Sequence, residues 1–304
     1  MVKKRYSHSS GFKTKIIALS LLFASVIATS EGCGLTKAEI AARAAQAAIN
    51  VGAAYLIQIS PQQEAMLGEQ MKRQVHQEFK EYTTSPSLVS YIKSVGANVA
   101  AIASRRNELN YQFYVLDSPV INAFTIPGGS VFITTEALKY IKNEAQLAGV
   151  FAHEIGHNER KHTIDTIRRV LAAQGLAEGA ISQNDPALIR LVASLTLNLI
   201  LNGFSRNQER ESDQTGTLLV TKLNYDPLAL AGFLETLTST YGNDPSRLVR
   251  LFQTHPGSQE RVKDIKAYIT KNALKVTNPV VNESTYRKYA SVLPPKVDIR
   301  KTQG

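Results

Sequence analysis

The residues of this chain best placed to do chemistry are two histidines four apart with a glutamate after the first: His153-Glu154-Ile155-Gly156-His157. On a helix that spacing stacks both imidazoles on one face. The pair can then reach one zinc ion at about 2.0–2.1 Å. Glu154 stands beside the first ligand, where its carboxylate can meet a water on the metal. The pattern predicts hydrolysis of peptide bonds by an activated water, with Glu154 as general base and one Zn2+ per chain.

Two histidines leave such a site unfinished; a third protein ligand is needed. The chain has a single cysteine, so neither thiolate ligation nor an internal disulfide is expected. The segment 205–216 offers three acids. Glu209 and Asp213 are four apart and share a helix face, whereas Glu211 points the other way. Glu209 is therefore expected to ligate the metal. Asp213 is expected to hold the far nitrogen of a ligand histidine, fixing its tautomer and ring orientation. His162 lies five residues past His157, off the ligand face, and reads as structural. His76 reads as a surface or structural histidine.

These residues need elements to carry them. Helical spacing predicts helices over 61–80, 87–104, 136–142 and 144–162, the last bearing the paired histidines. Further helices are expected over 186–204, up to 223, over 227–240 and over 258–271. Residues 111–117 and 130–135 alternate as strands, and the Pro127-Gly128-Gly129 turn predicts a hairpin that sets the second beside the first. The strand over 130–134 is expected to hold an extended substrate by backbone pairing. The fold class is α+β: mostly helical, with a small sheet beside the histidine-bearing helix. The run 186–204 is apolar but interrupted by Arg190, Asn198 and Asn202, and reads as a buried or membrane-facing helix.

The N-terminus has a different character. Five of the basic residues fall within the first 15 positions, and residues 16–29 are apolar but short for a membrane span. Cys33 follows in Ser30-Glu31-Gly32-Cys33, which is similar to a bacterial lipobox. The expected organisation is a leader over 1–33, a helical arm or linker over 34–60, a catalytic domain over 61–272 and an extended tail over 273–304. The chain would be exported to the periplasm and anchored to the outer membrane through lipidated Cys33. The net charge of +10 comes without basic-aromatic interleaving, so no nucleic-acid partner is expected.

Taken together, Asn122-Ala123-Phe124 with Pro127-Gly128-Gly129, His153-Glu-x-x-His157, Ser205-Arg206 with Glu209-x-x-x-Asp213, and Thr254-His255-Pro256 resemble metallopeptidase family 48, over about residues 60–270. These are gluzincins. The leader and the lack of multiple spans suit the BepA/LoiP-like envelope branch of that family. The resemblance implies that His153, His157 and Glu209 bind zinc and that Glu154 is catalytic. It implies substrate contacts at Asn122, Ala123, Phe124, Gly128 and Gly129. His255 would act either as an oxyanion donor or as a latch on the fourth zinc position, and Arg261 is a second oxyanion candidate. Substrates would be polypeptides, such as misfolded envelope or outer-membrane proteins. Two other readings stay open: a chaperone-like outer-membrane assembly factor with a latent or structural zinc site, and a lipid-surface binder using 186–204.

Overall fold

The computed structural model describes residues 54, 56–176, 185–241 and 254–294. The expected leader, Cys33 and most of the 34–60 arm lie outside the described residues.

The chain enters through α1 (Pro61–Glu78) and α2 (Pro86–Ala100). Ser60 caps α1 in a reciprocal box with Gln63, and Pro61 opens the first turn, where its missing N–H costs nothing. Three strands follow: β1 (Gln112–Leu116), β2 (Ala123–Thr125) and β3 (Ser130–Thr134). The short α3 (Thr135–Leu138) leads to α4 (Glu144–Glu159), which carries both motif histidines. Next come α5 (His162–Ala173), α6 (Pro186–Asn202), α7 (Arg206–Lys222) and α8 (Ala229–Tyr241). The described chain closes with α9 (Ser258–Lys271) and α10 (Glu283–Ala290). The architecture is thus mostly helical with a three-stranded sheet.

The strand order is β1-β3-β2, which corrects the expected hairpin. β1 pairs with β3 in parallel, Gln112 opposite Ser130. The Pro127-Gly128-Gly129 turn instead joins β3 to β2, antiparallel, with Ala123 opposite Ile133. Gly128 and Gly129 hold positive φ there, a conformation that suits residues without a Cβ. β2 escaped the sequence reading because its three residues are all buried and show no alternation.

β3 is buried along its whole length because both faces of the sheet are covered. Val131 and Ile133 join Phe113 and Val115 in a core built on α2, α4 and α8. Phe132 points the other way, stacking on Tyr114 and Phe124 over α1 and α6. α6 packs one face on α1 and α5 and leaves Leu191 exposed. Among the described residues no single helix is long and apolar enough to cross a membrane.

Two further expectations are corrected. The helix read over 144–162 breaks at Arg160-Lys161, where Lys161 takes a left-handed φ of 61° and a new helix starts at His162. The tail read as extended contains α10. That helix is tied down because Tyr286 is buried and donates to the Leu138 carbonyl at 2.5 Å, while Asn282 donates to buried Glu144.

Candidate metal centre

α4 is buried over nearly all its residues, including His153, Glu154 and His157. Its closest neighbour is α7. A Cβ on Gly156 would sit 2.8 Å from the Ser212 backbone, and one on Gly216 would sit 2.9 Å from the His153 backbone nitrogen. Side chains are excluded from this crossing, so the two backbones approach closely. Ser212 ties the crossing, its hydroxyl donating to the His153 carbonyl at 2.7 Å. α7 itself starts at a Ser205/Gln208 capping box, which places Glu209 in the first turn and Asp213 one turn on.

The crossing brings Glu209 against both histidines. His153 Nε2 and His157 Nε2 are 3.2 Å apart. Glu209 lies 3.4 Å from each of them, through one oxygen apiece. His255 completes the group: its Nδ1 is 3.2 Å from His153 Nε2 and 3.0 Å from Glu209 Oε1. A tetrahedral ion with bonds of about 2.0–2.1 Å spaces its ligands about 3.3 Å apart. The spacings of 3.0–3.4 Å between these pairs match that figure, and the four donors all lie within 4.8 Å of one another. All four residues are buried. Nitrogen and carboxylate donors without thiolate are also the set that zinc takes in hydrolytic sites. The residues therefore fit a zinc ion.

The surrounding charges orient the donors. Asp213 Oδ1 accepts from His153 Nδ1 at 2.8 Å, which turns Nε2 toward the cluster. Arg261 grips Asp213 with two nitrogens, at 2.8 and 2.7 Å, and reaches Glu209 at 2.9 Å. Its guanidinium is thus spent on carboxylates of α7, which makes it an anchor between α9 and α7 and not a free oxyanion donor. Phe204 stacks flat on the His157 ring at 3.9 Å. Glu154 Oε2 is buried with no hydrogen-bond partner, while Oε1 lies 3.6 Å from His255 Nε2. A buried carboxylate oxygen left unpaired beside a set of metal donors is free to accept a proton.

These contacts set the protonation states. Burial raises the Glu154 carboxyl above the ordinary range, against the pull of His255 and His153. Burial opposes the Glu209 charge, yet His255 and Arg261 hold its carboxyl well below the ordinary range. Burial and Arg261 depress His153, but Asp213 and Glu209 outweigh them and raise it to about 9. Burial keeps His157 well below the usual imidazole value.

The other expected contacts divide. The Ala123 carbonyl faces His255 Nε2 at 3.3 Å and so borders the centre, while Asn122 accepts from the hydroxyl of Thr254, the residue before His255, at 3.2 Å. Phe124 is a core residue stacked on Phe132. Gly128 packs on α1, its N–H donating to Glu64, and Gly129 packs on Asn110. The two glycines shape the turn and make no hydrogen bond to the cluster. Expecting substrate to pair with 130–134 is also corrected. β3 is the central strand and its backbone groups are taken on both sides, whereas β2 is the edge strand and borders His255. His162, read as structural, lies with its Nδ1 3.0 Å from Nδ1 of His157. No periodicity could have shown this, because it depends on the helix break at Lys161.

The sequence profile of Peptidase family M48 matches residues 86–269. The Schizosaccharomyces pombe "Mitochondrial metalloendopeptidase OMA1" is 29% identical over 186 residues, 61% of this chain and 54% of that protein. The Escherichia coli K12 "Beta-barrel assembly-enhancing protease" is 26% identical over 238 residues, 73% of this chain and 46% of that protein. The human "Metalloendopeptidase OMA1, mitochondrial" is 29% identical over 182 residues, 56% of this chain and 34% of that protein. The chain thus spans about half, or less, of the length of these relatives.

The pH dependence of zinc binding follows from the His153 value. A group raised to about 9 holds its proton below that pH, and zinc must displace it. Affinity should therefore rise about tenfold per pH unit from pH 6 to 8 and level off above 9. His157, already neutral, adds no proton over that range. Chelator competition, corrected for the chelator's own protonation, measures this; a flat profile contradicts it.

Proposed function

The chain belongs to Peptidase family M48, and from that premise we propose that it is a zinc-dependent endopeptidase of the cell envelope that cleaves misfolded periplasmic or outer-membrane proteins. The observation that carries the reading is the set of four buried donors, all within 4.8 Å of one another, beside the unpaired Glu154 oxygen. Two relatives are named as metalloendopeptidases and a third as a protease that enhances β-barrel assembly, which supports polypeptide substrates.

His153, His157 and Glu209 would hold the zinc. When bound, it supplies a Lewis acid for the scissile carbonyl and a water acidified to a pKa near 7. Glu154 takes the proton of the attacking water and passes it to the leaving amine; its raised pKa suits both transfers. An extended substrate would lie along β2 with an N–H donated to the Ala123 carbonyl. Asp213 and Arg261 keep His153 and Glu209 in place. The basic start, the apolar run 16–29 and Cys33 support export and a lipid anchor on the outer membrane.

His255 occupies two places that a substrate needs. Its Nδ1 stands at the fourth corner of the cluster and its Nε2 takes the Ala123 carbonyl. Those contacts favour the latch over the oxyanion donor. The enzyme would be latent until the Thr254-His255 segment withdraws.

Two substitutions test these roles. Glu154→Gln should keep one zinc per chain and lower casein cleavage by at least about 10²-fold. Native-rate cleavage by this variant would remove Glu154 as the base; zinc-independent promotion of outer-membrane assembly by the same variant would favour the assembly-factor reading. His255→Ala should retain zinc and raise cleavage several-fold. A fall would restore the oxyanion role, and an unchanged rate would eliminate both.

A further inference from the structure

The His157 ring is fixed from three sides. Nε2 faces the cluster, Phe204 lies flat against the ring, and Nδ1 is 3.0 Å from Nδ1 of His162. The line continues outward: His162 Nε2 is 3.1 Å from Glu211 Oε2. His162 is buried and Glu211 is exposed. The proton positions along this line follow from the groups at its ends. A metal ligand must present a lone pair, so His157 carries its proton on Nδ1. A carboxylate only accepts, so His162 carries its proton on Nε2, toward Glu211. His162 Nδ1 is then an acceptor, and it meets the His157 Nδ1–H. Each donor has one acceptor.

We propose that His162, oriented by Glu211, is the positioning residue for the zinc ligand His157, as Asp213 is for His153. This rests on the zinc-site reading above. The two ligands of α4 thus end on two acids of α7, Asp213 directly and Glu211 through an intervening imidazole.

The backbone is built for the contact. On a continuous helix, residue 162 would stand about 140° around the axis from His157. The break at Lys161, with its left-handed φ of 61°, turns the chain so that His162 opens α5 facing back toward α4. Lys161 N–H closes that turn on the Asn158 carbonyl at 3.0 Å. A lysine in a conformation that favours glycine is a position held by its surroundings. Thr163 at the start of α5 also donates to Asn158, at 3.1 Å, which ties the new helix to the end of the old one.

The test is the zinc dissociation constant, by chelator competition, for the native protein, His162→Ala, His162→Asn and Glu211→Ala, with metal-free thermal stability recorded alongside. His162→Ala strands the His157 proton and should weaken zinc about 10–100-fold. Asn places Oδ1 where Nδ1 stood, so His162→Asn should stay within about threefold of native. Glu211→Ala should weaken zinc by about threefold or more without lowering metal-free stability, because the side chain is exposed. Zinc affinities for His162→Ala and Glu211→Ala within twofold of native would overturn the proposal, as would His162→Asn binding as weakly as His162→Ala. Should His162→Ala fail to fold, Glu211→Ala and His162→Asn decide. A native protein that takes up no zinc refutes the site reading itself, a separate outcome.

Discussion

Everything at the centre depends on how closely α4 and α7 cross. Gly156 and Gly216 face the opposite backbone with no room for a methyl group. Only at that separation can Glu209 reach both His153 and His157. The rest of the fold serves the crossing. α2, α8 and the sheet bury the remaining sides of α4, α9 locks α7 through Arg261, and the turn at Lys161 brings α5 back to the ligand face.

The crossing creates an electrostatic problem that selects its solution. Glu154, Glu209 and Asp213 are all buried, and Arg261 is the guanidinium buried among them. Uncompensated charge in a low-dielectric interior is costly. A dication would balance the two remaining negative charges. Burial and Arg261 pull His153 down, and two of these carboxylates, Asp213 and Glu209, outweigh them and lift it to about 9. Zinc and protons compete for one nitrogen, so the charge that favours the metal also makes its uptake pH-dependent. Glu154 stays the exception, with one oxygen unpaired and its pKa raised by burial, and that is the state of a carboxylate reserved for proton transfer.

Much of the centre was legible in the sequence because helical periodicity is local. The four-residue spacings of His153 with His157 and of Glu209 with Asp213 each defined a face, and the structure turns those faces toward each other. What spacing could not give were features set by tertiary pairing. β2 is three buried residues without alternation, so the sequence suggested a hairpin where β1 and β3 run parallel, and it assigned substrate to the wrong strand. Arg261 looked like a possible oxyanion donor because its carboxylate partners, Asp213 and Glu209, stand far back in the chain on another helix. His162 looked structural because a helix was assumed to continue through Lys161. The burial of Tyr286, within the tail, showed no sign in a segment punctuated by prolines.

Residues from α4 and α7 should meet on one divalent cation, and crystals of the zinc-loaded protein, measured on both sides of the zinc absorption edge, decide the matter. One anomalous peak per chain is expected, bonded to His153, His157 and Glu209 at about 2.0–2.2 Å. A peak bonded elsewhere, or none at this cluster in protein shown to contain zinc, would overturn the assignment.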